Sequence, residues 1–285
     1  MADVKFPKLD ATALEPTQRA LHAYSKVAGA WAKVTRKKRK HWWHASLRPS
    51  LYGMTTGVMY GDTDFEIELN LMQSCLEIRT CSSMHRQQFA GQSSAELAET
   101  IRKVLFAAGV DRDLAPAADV ESDTRYPDYS PRQASLMHGA IGSITSALED
   151  FRAGIREEKS PIQIWPHHFD LSMIWLPGTK VPDQDPENEE YADKQMNFGF
   201  AFGDDGIPEP YLYVTAYPLP DEMPNVKLPE GTTWRSERFN GAVLLYRDLV
   251  KNADPAAYLL NLWTGLIENG RTHMCVSDQR ASGDR

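Results

Sequence analysis

Apolar residues recur along this chain with two periods, and the switches between them mark out the elements. From Pro16 to about Lys38 the positions Leu21, Tyr24, Ala28, Trp31 and Val34 step by three or four, the spacing of one helical face. The period then shortens to two. Phe65, Ile67 and Leu69 alternate with Asp64, Glu66, Glu68 and Asn70; beyond a turn near Gln73-Ser74, Leu76 and Ile78 alternate with Glu77 and Arg79. This predicts half-buried antiparallel strands. Ser93-x-x-Glu96 is a capping box opening a short helix through Leu97, Ile101, Val104 and Leu105, stopped at Gly109.

After a linker rich in Asp, Ala and Pro at 110–129, the order recurs. Ser130-Pro131-x-Gln133 starts a helix with the stripe Met137, Ile141, Ile144, Leu148, Phe151 and Ile155. Phe169, Leu171, Met173 and Trp175 then alternate with His168, Asp170 and Ser172, and Phe198, Phe200 and Phe202 with Gly199, Ala201 and Gly203. Gly203–Pro210 reads as a hairpin loop from which Tyr211–Tyr217 returns. Asp254-Pro255 caps a last helix, and 272–285 is expected to be a flexible tail. Each opening helix leads into an aromatic/histidine cluster, His41-Trp42-Trp43-His44 in one case and Trp165-Pro166-His167-His168 in the other. The predicted fold class is α+β, antiparallel strands with covering helices, in two similar helix–strands–helix halves at 12–112 and 128–271 packed as one body. An acidic insertion at 181–195, expected to be exposed and mobile, interrupts the second half.

Composition narrows the class. Hydrophobic content of 42 % and charged content of 25 % are those of an ordinary soluble globular protein. No apolar run approaches the ~18 residues of a membrane span, and Met1–Asp10 has no signal-peptide core. Cys75, Cys81 and Cys275 form no C-x-x-C pair, which fits reduced thiols and predicts a cytoplasmic location. The net charge of −8 is uneven: residues 1–40 carry ten Lys/Arg against three Asp/Glu, leaving −15 for the rest.

Strand parity gathers the candidate chemistry on one sheet face. The first half offers Trp42, His44, Ser46, Arg48, Glu66, Glu68, Glu77 and Arg79; the second offers His168, Asp170, Ser172, Tyr211, Tyr213, Thr215 and Tyr217. Two readings stay open. One is a ligand site; the other is a solvated face with cross-strand pairs such as Glu66 and Glu68 with Arg79. Strand spacing argues against a His168/Asp170/Ser172 triad. Alternate strand residues stand about 6.6–6.8 Å apart, and a nucleophile must reach its base within about 3.2 Å. His41, His44, His167 and His168 offer imidazoles but no metal-site spacing, and on a strand His167 and His168 face opposite ways; no metal is assigned. Arg36–Lys40 before Trp42-Trp43 suggests a single-stranded nucleic-acid platform, which the acidic remainder disfavours; the alternative is a solvated helix end docking the acidic 183–193 loop. The Gly199 side of the Phe198–Gly203 strand leaves bare backbone that a cofactor could approach. No phosphate-binding glycine motif occurs, so no cofactor is identified.

The segments His41-Trp42-Trp43, Met54-Thr55-Thr56-Gly57, Phe65-Glu66-Ile67, Ser160-Pro161, Phe169-Asp170-Leu171 and Ala216-Tyr217-Pro218, taken in order, resemble a bacterial family known only as a domain of unknown function. The resemblance spans nearly the whole chain. It implies a fold and a position for the site rather than a reaction, and it favours His41, Trp42, Glu66, Asp170 and Tyr217 as site residues over His44 and His168. The expectation is therefore a small-molecule-binding protein or enzyme. Glu66 or Asp170 would act as acid/base, His41 would orient or protonate the substrate, and Trp42 and Tyr217 would form walls. His44, Arg48, Glu68, His168, Tyr211 and Tyr213 would line the site. The alternatives are single-stranded nucleic-acid binding through 36–43 and a plain protein-interaction module. No motif specifies catalysis or an oligomeric state. The main reading requires Glu66, Asp170 and Tyr213 to turn toward one concavity.

Overall fold

A computed structural model describes residues 5–188, 190–237 and 240–275. The Asp10 carboxylate accepts the Ala13 N–H at 3.1 Å and starts helix α1 (Ala11–Thr35), five residues before the expected Pro16. The helix stops at Arg36, short of the expected Lys38. The cause is local: the Arg36 guanidinium donates to the carbonyls of His44 and Ser46 at 3.4 and 3.1 Å, folding the basic run away from the helix axis. The other helices begin where their caps predict. They are α2 (Ser94–Ala107) behind the reciprocal Ser93/Glu96 box and α3 (Pro131–Ala153) behind Ser130. The short α4 (Tyr246–Leu249) follows, and α5 (Pro255–Met274) lies behind Asp254. Residues 272–274 of the expected tail are thus helical, and 276–285 lie outside the described residues.

The strands form two antiparallel sheets. The first runs in sequence order through β1 (Arg48–Pro49), β2 (Gly53–Thr55), β3 (Phe65–Asn70), β4 (Cys75–Thr80) and β5 (Met84–Gln88). The second comprises seven strands: β6 (Glu158–Lys159), β7 (Gln163–Trp165), β8 (Asp170–Leu176), β9 (Gln195–Ala201), β10 (Tyr211–Tyr217), β11 (Thr232–Arg235) and β12 (Gly241–Leu245). Its order is β11-β12-β10-β9-β8-β6, with β7 also pairing β8. The fold class is α+β. Each half opens and closes with a helix, while the two sheets differ in strand number and in strand order.

The sheets meet at one place. Leu47 and Ile164 exchange both backbone hydrogen bonds at 2.9 Å, setting β7 beside the strand that becomes β1. Ile67, Leu69, Leu76 and Ile78 from one sheet and Leu171, Met173, Trp175, Phe198 and Phe200 from the other therefore join a single apolar cluster with the inward stripes of α1, α2, α3 and α5. The opposite face of the second sheet is also partly covered. Trp43 packs there on Trp165, Ile174 and Leu176, and Ile207 packs on Ala201, Tyr211 and Val243. No described helix is long and apolar enough to cross a membrane.

Gly29 couples the halves where α1 passes Pro166. A Cβ there would lie 2.5 Å from Cγ and 3.0 Å from Cβ of Pro166. Helix propensity alone would make Gly29→Ala stabilising by about 1 kcal/mol, whereas forcing a methyl into packed space costs about 1–3 kcal/mol. Because a proline ring cannot swing aside, Gly29→Ala is expected to lower the denaturation midpoint in urea; a rise would refute this contact.

Candidate functional site

The outward positions share one face, as parity predicts, but they do not share one concavity. From Asp170 to Glu68 the path crosses β7, the Leu47 strand and β2. Four steps of ~4.8 Å between strands make a separation of roughly 19 Å. Tyr217 lies off along the strands: Tyr217 pairs with Gln195 and Tyr211 with Ala201, which also pairs with Asp170. Its ring meets Tyr191, at 5.0 Å, on the acidic insertion. The expected single site is replaced by three clusters.

The first is an ion-pair network. Arg79 donates to Glu68 at 2.6 Å, lies 3.5 Å from Glu66 and pairs with Glu77, which also accepts from Arg86 at 2.7 Å. Thr55 donates to Glu66 at 2.6 Å and Ser50 to Glu68 at 2.5 Å. These residues face one another across β2, β3, β4 and β5, so the carboxylates are engaged by donors of the sheet itself. Glu66 and Glu68 are thus structural partners of Arg79.

The second cluster is the loop after α1. His41 and Trp42 both adopt the left-handed backbone region, φ 51° and 57°, which costs about 1–2 kcal/mol per residue for L side chains. The fold holds them from both sides. His41 is buried and its Nε2 lies 3.3 Å from Asp193 Oδ2, while Lys180 reaches the other Asp193 oxygen at 2.8 Å. Lys40 pairs with Glu158 at 2.5 Å. The base of the acidic insertion therefore docks beside the end of the basic run. The buried His44 ring accepts the Arg39 N–H at 3.2 Å and stacks on Trp42 at 5.6 Å. Trp42 itself is 37 % exposed, with the ammoniums of Lys33 and Lys38 at 5.6 and 5.9 Å from its ring. Arg48 is exposed on β1. Among the described residues no group of three or more His, Cys, Asp or Glu is placed to hold a metal.

The third cluster centres on Asp170, the first residue of β8. Tyr213 reaches across β9 and donates its hydroxyl to Asp170 Oδ2. The ring can cross only because position 199 is glycine, where a Cβ would overlap it. The bare Gly199 backbone that the sequence offered to a cofactor is thus filled by Tyr213. Trp165 Nε1 donates to Ser172 Oγ at 2.8 Å, fixing the neighbouring side chain on the same strand face. Asp170 is 7 % exposed, and its Oδ1 has no hydrogen-bond partner among the described residues. Burial raises its carboxyl from 3.8 to about 6, against the opposing pull of the Tyr213 hydrogen bond, the nearby His168 and its own backbone N–H. Burial and the Asp170 charge push the Tyr213 phenol well above 10. His167 and His168 are not on a strand, contrary to the alternation; they sit exposed on the turn between β7 and β8 with rings 4.2 Å apart. Phe169 leaves that turn with φ 57°, a reversal that no alternation pattern can accommodate. Tyr211 turns its hydroxyl to Asp204 at 2.5 Å, on the hairpin loop.

Of the expected site residues, the fold brings together Asp170, Tyr213, Tyr211 and His168. It keeps Glu66, Glu68, His41, Trp42, His44, Arg48 and Tyr217 elsewhere. Trp165, Ser172 and Gly199 complete the Asp170 cluster; the small-residue position between Phe198 and Phe200 was the available signal for the last. A cleft of about 330 Å³ between the start of α1 and the residues Glu209, Pro210, Tyr246 and Arg247 is lined by none of the expected residues.

A family model described as a family of unknown function, DUF5996, matches residues 6–271, and the chain belongs to that family. No curated protein and no solved structure matches it.

The raised Asp170 carboxyl makes a signed prediction. The folded state holds the proton more tightly than the unfolded chain, so this group's contribution to stability is complete below pH 3.8 and is lost as pH rises through about 6. The full difference is about 3 kcal/mol. Asp170→Asn keeps an acceptor for Tyr213 and cannot ionise. Its stability relative to the native protein, from guanidinium unfolding, is therefore expected to improve steadily between pH 4 and 7. A pH-independent difference would show that Asp170 does not titrate there.

Proposed function

We propose that this protein binds a small molecule bearing an amine or hydroxyl group against Asp170, on the outer face of the second sheet. The observation that supports this reading is the Asp170 Oδ1 atom, buried and without a donor among the described residues. Buried polar groups in folded proteins are almost always paired, and a carboxylate left unpaired is costly. A ligand N–H or O–H would supply the missing donor. Tyr213 fixes the carboxylate from the opposite oxygen, Trp165 holds Ser172 beside it, and the exposed His168 lies close enough to act on its charge. A carboxyl titrating near 6 is also suited to accept or return a proton close to neutral pH. Glu66 has no part in this reading, because Thr55 and Arg79 already engage it.

The test is thermal unfolding at pH 7.5 with a panel of primary amines, amino alcohols and polyols, on the native protein, Asp170→Asn and Tyr213→Phe. At least one compound is expected to raise the native midpoint by several degrees, to leave Asp170→Asn unmoved and to act weakly on Tyr213→Phe. If no compound acts, or if Asp170→Asn responds as the native protein does, the reading is wrong.

A further inference from the structure

The charge of this chain is segregated more sharply than its ends suggest. Between Glu15 and Asp62 there is no acidic residue, while nine are Lys or Arg; the rest of a chain of net −8 therefore carries −17. A locally positive surface on an acidic protein attracts polyanions at that surface alone.

The fold concentrates part of this stretch around one exposed ring. The ammoniums of Lys33 and Lys38 stand over the Trp42 ring, 5.6 and 5.9 Å from its centroid, cation–π contacts that an incoming base would replace. Behind the ring, His44 stacks at 5.6 Å with an interplanar angle of 25°. Arg36 holds the carbonyls of His44 and Ser46, and burial and the like charges of Arg48 and Arg39 lower its pKa. The strained backbone at His41 and Trp42 is held by the His41–Asp193 contact, the Arg39–His44 hydrogen bond and the two carbonyls on Arg36. The indole is therefore presented before any partner arrives. The acidic side chains Glu158 and Asp193 flank Lys40 and Lys180, while Lys33 stands at the Trp42 ring.

We infer that this patch binds single-stranded nucleic acid, with a base stacked on Trp42 and phosphates on the surrounding lysines and arginines. An indole backed by a second planar ring extends a stack, and flexible ammoniums around it follow a phosphate chain.

The experiment is fluorescence anisotropy of a labelled twelve-nucleotide oligo(dT) with the full chain at 50 and 200 mM KCl. Vesicles of phosphatidylserine and phosphatidylcholine serve as the competing anion. Binding to the oligonucleotide is expected at low salt, weakening steeply at 200 mM. Trp42→Ala is expected to weaken it about tenfold, in line with the loss of one stacked base, without changing the salt dependence. The surface variant Lys33→Gln/Lys37→Gln is expected to reduce the slope of log K against log salt by about 1.4, the value for two phosphates at about 0.7 each. Trp42→Phe, which keeps a planar ring, should retain most of the affinity. Absence of binding at 50 mM, equal binding by Trp42→Ala, or preference for the vesicles would each overturn the inference.

Discussion

The Leu47–Ile164 bridge makes two sheets present one surface. Two backbone hydrogen bonds fix β7 beside the strand leading into β1. Because side chains alternate with a period of two, this one register decides which residues of both sheets face the helices. Leu47 and Ile164 both enter the core. Their neighbours Ser46 and Gln163 consequently meet on the other side, where the Gln163 amide donates to the Ser46 hydroxyl and to the Trp43 carbonyl. A slip of one residue would drive Gln163 into the core and expose Ile164. The bridge is thus maintained by burial on one face and by amide pairing on the other.

Within that surface, chemistry is localised by complementary size across strands. Gly199 gives the Tyr213 ring room to cross β9, and only that crossing brings a hydroxyl to Asp170. The contrast with the first sheet is instructive. There, three carboxylates meet two guanidiniums, with Arg79 serving all three and Arg86 a second oxygen of Glu77. Each carboxylate gains donors from adjacent strands, so burial of Glu68 and Glu77 leaves no demand for an outside group. Asp170 is buried with the Tyr213 hydroxyl as its one side-chain donor among the described residues. Similar burial of the same functional group therefore has opposite consequences, decided by the number of donors the neighbouring strands supply.

Much of this was legible in the chain. Ser93 with Glu96, Ser130 with Pro131, and Asp254 with Pro255 each start a helix because capping is a local matter of a few residues. The alternation through Phe65–Asn70 and Asp170–Leu176 told inside from outside for a similar reason. Distance across the sheet was not legible. Parity gives a face but not a column, and Glu66 and Asp170 were separated by a strand pairing between residues more than a hundred positions apart. Reversals were also hidden. His167 and His168 continue the alternating pattern on paper, yet they lie in a turn. The Asp10 cap of α1 is masked in the sequence by Pro16, which gives a stronger generic start signal. Arg36 left the helix for carbonyl oxygens that only the folded loop assembles.

That loop explains why the Asp170 region and the Trp42 patch, though distinct, rest on one support. Left-handed backbone at two successive non-glycine residues persists only where both flanks are pinned. On one flank His41 is buried against Asp193. On the other, Trp43 leaves the strained pair and packs on Trp165, Ile174 and Leu176, the covered part of the second sheet next to Asp170. Burying an indole face offsets strain of this size. Trp165 in turn directs its N–H to Ser172. The residue that roofs the sheet and the residue that stands out from it are therefore chain neighbours, and the strain between them is what turns one ring inward and the other outward.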